Sequence, residues 1–259
     1  TRRMLLKHLQ SLSAVLTTSS HVNPSLHHPK LVSLFSTNDG NNFKHKLSSN
    51  LFPPLDDDEM IEVERKFVVP LDIASKVLQL GGTQIGSITF TDTYYEEALA
   101  ARDIWLRERT TNDESCWELK VPASTTRIKS GGETTAFTEI IGPEQIVDAL
   151  NRNNYKFTAG SLSDLPPFAT LTTTRRKFNL DDVSIDCDEA DFDGFAGVME
   201  LEVLVSSDVE IAGARASIAA VAEKLNATDV GNTGGKLESF IRLKKPTLLA
   251  TLIENGVLN

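Results

Sequence analysis

The sequence predicts an α+β fold in which about eight antiparallel strands close into a barrel around a polar tunnel, with helices flanking it. Three observations lead there. From Asp56 onward, strand-like segments outnumber short helical ones. A sheet of that kind removes its exposed edges by closing on itself, which creates a lumen. Turn signals at Thr111-Asn112-Asp113, Gly131-Gly132 and Asp181-Asp182 join successive strands as hairpins. Several strands also carry charges at alternate positions, and alternate side chains of a strand share a face.

Taken in order, residues 1–55 stand outside this pattern. They are rich in Ser, Thr, Leu and Asn and carry Arg2, Arg3, Lys7, Lys30, Lys44 and Lys46 against Asp39 alone. Arg2 to Leu16 suits a basic amphipathic helix, with Leu5, Leu9 and Leu12 at helical spacing. These are transit-peptide features, so the expected address is mitochondrial, with plastid and cytosol as alternatives. No apolar run is long enough for a membrane span.

Residues 56–259 are the expected folded domain. Alternating or β-branched runs place strands near 60–69, 84–95, 102–109, 116–121, 134–141, 168–180, 182–188 and 198–206. Helices are expected where the period lengthens. Pro70 to Leu80 carries Ile73, Val77 and Leu80 and stops at Gly81-Gly82. Pro143 to Asn153 begins with proline in its first turn. Asp208 to Asn226 has an apolar stripe of Ile211, Ala214, Ile218, Val221 and Leu225. Lys236 to Lys245 follows Gly234-Gly235 and is stopped by Pro246, and Thr247 to Glu254 continues as a last helix.

Composition excludes several classes of chemistry. The net charge is −10 over 259 residues, and the first 55 account for +6 − 1 = +5. The domain therefore holds 20 bases and 35 acids, or −15. Nucleic acid is not the expected partner of so acidic a body. An anionic ligand would need a local basic patch or a bridging cation. All five histidines lie at or before His45. That removes imidazole bases, His-ligated zinc and Ser-His-Asp chemistry from the domain. Cys116 and Cys187 form no CxxC, and Cys187, between Asp186 and Asp188, faces away from both and reads as packing.

The chemistry is set by Ile61-Glu62-Val63-Glu64-Arg65-Lys66-Phe67. Period two puts Glu62, Glu64 and Lys66 on one face and Arg65 among apolar neighbours on the other. A solvated edge strand would show the same charges. A strand lining a cavity that holds metal and anion together accounts for the mixed signs. The pattern recurs: Trp105, Arg107 and Arg109 share a face, as do Glu118 and Lys120, Arg175 and Lys177, Asp186 and Asp188, and Glu200 and Glu202. Gathered round one lumen, the acids can collect Mg²⁺ and the bases can hold several phosphates. Such a lumen must be wet and hold both ions at once, because unpaired charges are costly to desolvate.

Glu62-x-Glu64-x-Lys66 resembles the signature of the CYTH superfamily, the triphosphate tunnel metalloenzymes. Residues 61–67, Gly81-Gly82, Thr89 to Tyr95, Trp105 to Arg109, Trp117 to Lys120, Ile185 to Phe192, Glu200-x-Glu202 and Lys236-Leu237 are similar to those of the family's thiamine triphosphatases. The likeness is collinear over about residues 59–245 and omits the N-terminal segment. It implies a barrel of roughly eight strands acting on a triphosphate. Carried over, Glu62, Glu64, Asp186, Glu200 and Glu202 are the metal-binding acids. Lys66, Arg107, Arg109, Lys120, Arg175 and Lys236 are the triphosphate-binding bases, with Lys66 placed at the chemistry. Glu139 is a looser match, and Asp188 and Lys177 fit by strand parity alone. Trp105, on the face of Arg107 and Arg109, is expected to bring its ring into the cavity beside a thiazolium, or else to pack the barrel end. Tyr94 and Tyr95 read as structural. The implied activity is Mg²⁺-dependent hydrolysis of thiamine triphosphate by a monomer. An inorganic triphosphatase and a non-catalytic polyphosphate-binding module are the alternatives.

Overall fold

The computed structural model describes residues 60–259 except 113, 124–133, 153–154, 156–158 and 232–233. The transit-peptide reading, the Gly131-Gly132 turn and Asp113 lie outside the described residues. Eight strands form a closed antiparallel barrel in the order β1-β5-β4-β3-β2-β6-β7-β8. They are β1 (Ile61–Phe67), β2 (Thr83–Tyr95), β3 (Trp105–Thr111), β4 (Glu114–Pro122), β5 (Thr135–Ile141), β6 (Pro167–Leu180), β7 (Val183–Ala190) and β8 (Val198–Val205). Two tight hairpins fall where the turn signals stand. Asn112 and Asp181 take the left-handed conformation, φ 48° and 52°, that two-residue hairpin loops favour.

The barrel inverts the usual arrangement of a soluble sheet: its apolar faces point outward and are covered by helices. On one side Val63, Phe67, Phe178, Ile185, Met199 and Leu201 pack under α1 (Ile73–Gln79) and the long helix Ile211–Leu225. On the other, Leu106, Leu119, Val121 and Ile140 pack under Pro143–Arg152 and beside Leu99 of α2 (Glu97–Ala100). The helices after α2 are α3 (Pro143–Arg152), α4 (Ile211–Leu225), α5 (Lys236–Lys244) and α6 (Pro246–Glu254). Cys187 belongs to the first of these cores, and burial pushes its thiol up to about 12, in keeping with packing.

A third cluster closes one end. Tyr94, Ala169 and Leu171 share the inner face of their strands with the ionic residues, since Asp92 lies opposite Leu171 and Tyr94 opposite both Ala169 and Arg107. They pack with Ile241 of α5 and with Leu248 and Leu252 of α6. Helices in contact with inward-facing residues must lie across the barrel end.

The structure shifts several boundaries. α1 begins at Ile73, because residues 70–72 are spent on a coil and turn after Pro70. β3 begins at Trp105, because α2 and a turn with Asp103 at φ 66° occupy 97–103. A 3-10 turn, Asp208–Glu210, precedes α4, and another covers Ala159–Asp164. Arg65, the charge on the outer face of β1, makes a forked pair with Asp229 at 2.8–3.2 Å.

Candidate active site

Cross-strand partners in an antiparallel sheet face the same side, so the register fixes which residues share the lumen. Lys66 lies opposite Glu200, and Glu64 opposite Glu202. Asp186 lies opposite both Glu200 and Lys177, and Asp188 opposite Arg175. Arg109 lies opposite Asp92, and Arg107 opposite Glu118. Lys120 lies opposite Trp105 on one side and Glu139 on the other. The register thus brings Glu62, Glu64, Lys66, Trp105, Arg107, Arg109, Lys120, Arg175, Asp186, Glu200 and Glu202 onto one inward surface. Lys236 joins them from the first turn of α5.

The groups converge in ion pairs. Lys66 bonds Glu64 and lies 3.7 Å from Glu200, and Lys120 bonds Glu62. Arg175 makes a forked pair with Asp188 at 2.6 and 2.8 Å, bonds Asp186, and reaches Glu200 at 3.2 Å. Arg107 donates to Glu118 at 2.6 Å and to Glu139 at 3.3 Å. Lys177 donates to Asp186 at 2.8 Å. Lys236 lies 3.6 Å from Asp92 and 3.3 Å from Asp188.

Asp92, Glu118 and Asp188 are further acids of this surface that stood outside the candidate set. Asp92 is fully buried and forked with Arg109 at 2.7 and 2.9 Å. Burial raises its pKa, but Arg107, Arg109 and Lys236 outweigh that and hold it well below the carboxylate range. Glu118 is held low in the same way by Arg107 and Arg109. Asp188 matched by strand parity alone, yet it is fully buried between Arg175 and Lys236. Strand parity is the sequence signal for Glu118 and Asp188, whereas Asp92 is placed by the β2–β3 register.

Burial and the local charges sort the carboxylates. Burial favours the neutral form of Glu62 and Glu200, yet both are lowered to about 2, Glu62 by Lys120 and Glu200 by Lys66, Arg175 and Lys236. Glu202 is the exception: burial, then the carboxylates of Glu62 and Asp186, push it up to about 8. Lys66 is desolvated, but Glu64 and Glu200 raise it above its ordinary value. Lys236 goes the other way, lowered by burial that Asp188 and Asp92 offset in part.

The donor set fits a hard divalent cation in kind: all five candidate metal ligands are carboxylates on one surface. Asp186 Oδ1 is buried without a hydrogen-bond partner, and the Glu62–Asp186–Glu202 crowding is a charge excess that a cation relieves. By distance the fit is incomplete. Among the described residues no three His, Cys, Asp or Glu side chains stand close enough to hold a metal ion. Thr173, opposite Phe90 on the inner face, also has a buried hydroxyl with no partner.

Trp105 is on the inward face as expected. Its ring, however, packs half-buried in the cluster under α5 and α6, and its Nε1 donates to Asp103 at 3.0 Å. Tyr94 is buried in the same cluster, and burial followed by Asp92 raises its pKa. A hollow of about 180 Å³ is lined by Val69–Leu71, Arg176, Cys187–Glu189, Ala196 and Gly197.

The CYTH domain pattern matches residues 60–231. The chain is 30% identical over 216 residues to a human (Homo sapiens) protein named thiamine-triphosphatase, spanning 75% of this chain and 90% of that one. It is 29% identical over 216 residues, with the same coverage, to the protein of that name from Macaca fascicularis. In fold it resembles the PH1819 protein of Pyrococcus horikoshii OT3, with a TM-score of 0.50 and 20% identity over 71% of this chain and 99% of that one.

Proposed function

The chain belongs to the CYTH family, and from that premise we propose that it is a Mg²⁺-dependent hydrolase that removes the terminal phosphate of thiamine triphosphate. The products are thiamine diphosphate and phosphate. The observation that carries this reading is one enclosed inner surface on which Lys66, Arg107, Arg109, Lys120, Arg175 and Lys236 converge from four strands and a helix, interleaved with carboxylates. Two mammalian relatives named for this activity support it.

The bases act by position and charge. Arg107, Arg109 and Arg175 present forks that match phosphate oxygens, and Lys120 and Lys236 add point charges along the chain. Lys66 steadies the transferred phosphoryl group, where charge gathers as the bridging bond breaks. An inward carboxylate orients the attacking water. Glu62, Glu64, Asp186, Glu200 and Glu202 are the residues that would hold Mg²⁺, which supplies charge neutralisation at the phosphate oxygens when bound. Lys66→Ala is expected to lower kcat at least about tenfold, or about 1.4 kcal/mol of barrier.

The packing of Trp105 against the helical end and its bond to Asp103 favour a second reading, an inorganic triphosphatase. Phosphate release from thiamine triphosphate, tripolyphosphate and ATP, with Mg²⁺ and then Ca²⁺, separates the two. Preference for tripolyphosphate by orders of magnitude removes the thiamine assignment. Release from none of them leaves a polyphosphate-binding module. Trp105→Ala should weaken turnover of thiamine triphosphate and spare tripolyphosphate. The basic, Ser- and Leu-rich residues 1–55 support a mitochondrial address, which a fluorescent-reporter fusion of that segment tests.

A further inference from the structure

Among the charges of the lumen stands a buried phenyl ring. Phe90 is 4% exposed and lies on the inner face of β2, opposite Thr173. Arg109 Cζ sits over its ring 4.0 Å from the centroid, Lys236 Nζ at 4.9 Å and Arg175 Cζ at 5.4 Å. The three cations come from β3, α5 and β6, so no single element sets their spacing.

Each of the three also has a carboxylate partner: Asp92 for Arg109, Asp188 for Arg175, and both for Lys236. Carboxylates alone are a poor way to position bases for a polyanion, because a resident anion both competes for the base and repels the ligand. An aromatic face attracts a cation through its quadrupole and carries no net charge. It therefore fixes the bases without neutralising them.

We propose that Phe90 is a positioning residue for triphosphate binding: its ring is the platform that gathers Arg109, Arg175 and Lys236 into one cradle and sets their spacing. The proposal deepens the triphosphate reading above and rests on it.

The test replaces Phe90 with mono-, di- and trifluorinated phenylalanine, which drain the quadrupole with little change of shape. Binding of tripolyphosphate is measured with a chelator present, so that no turnover occurs, and Tm is followed alongside. The expected result is a stepwise rise in Kd, reaching about tenfold for the trifluorinated ring, equivalent to about 1.4 kcal/mol, with Tm unchanged. The same series at Phe178, which is buried among apolar side chains outside the barrel, should leave Kd flat. A Kd insensitive to fluorine at Phe90, or one that rises only in step with a falling Tm, overturns the platform and leaves the triphosphate reading intact. Failure of the unsubstituted protein to bind tripolyphosphate, in chelator and again with Ca²⁺ present, overturns both.

Discussion

Glu202 makes a quantitative prediction about pH. Its carboxyl is pushed from an ordinary 4.5 to about 8 by burial and by Glu62 and Asp186. Between those values the folded chain holds a proton that the unfolded chain has released. Stability must then fall as pH rises, by about 1.4 kcal/mol per unit where Glu202 alone titrates. Glu62 and Glu200, lowered to about 2, act in the opposite sense and only below about pH 4.5, so the window is clear of them. The assay is urea unfolding in chelator at about pH 5.5, 6.5 and 7.5. Glu202→Gln, which keeps a neutral side chain, should flatten the profile and be the more stable protein at the upper end. Mg²⁺ should flatten it too, because a metal takes the carboxylate form and repays its ionisation. A wild-type profile that is level or rises across this range, or an equal slope in the Gln variant, refutes the argument.

Three further outcomes follow from the same surface. Asp92→Asn leaves Arg107, Arg109 and Lys236 without their shared buried counter-charge. It should lose about 3 kcal/mol or more, and tripolyphosphate should raise its Tm further than that of the wild type, as differential scanning fluorimetry will show. Gly235→Ala places a methyl group 2.6 Å from Lys66 Cε. Because the flexible lysine gives way, kcat should fall several-fold with little change in Tm; unchanged kcat would mean that the position of Lys66 is not critical. Thr173→Val removes a buried hydroxyl that has no partner, so Tm should hold or rise, while Kd for tripolyphosphate rises if that hydroxyl serves the ligand.

The sequence disclosed faces more readily than depths. Glu62, Glu64 and Lys66 were legible because a period of two is local, and mixed signs on one face have few uses. Asp92 was not, because an acid between Thr91 and Thr93 looks like one more side chain turned to water. Only its place opposite Arg109, set by pairing between separate strands, reveals it. Glu118 was seen to share a face with Lys120, but its partnership with Arg107 depends on the β3–β4 register. Trp105 followed the predicted parity. How far its ring extends into the cavity depends on α5 and α6, whose apolar stripes say that something is covered without saying what. Nothing local in the sequence marks Phe90, since its cation neighbours come from three distant parts of the chain.

The seal made by Tyr94, Leu171, Ile241, Leu248 and Leu252 governs traffic as well as packing. A vessel stoppered at one end has a single doorway, so substrate must enter and both products must leave by the same route. Under the proposed reaction, the longer product, still held by the arginines, would obstruct the next arrival and should inhibit competitively.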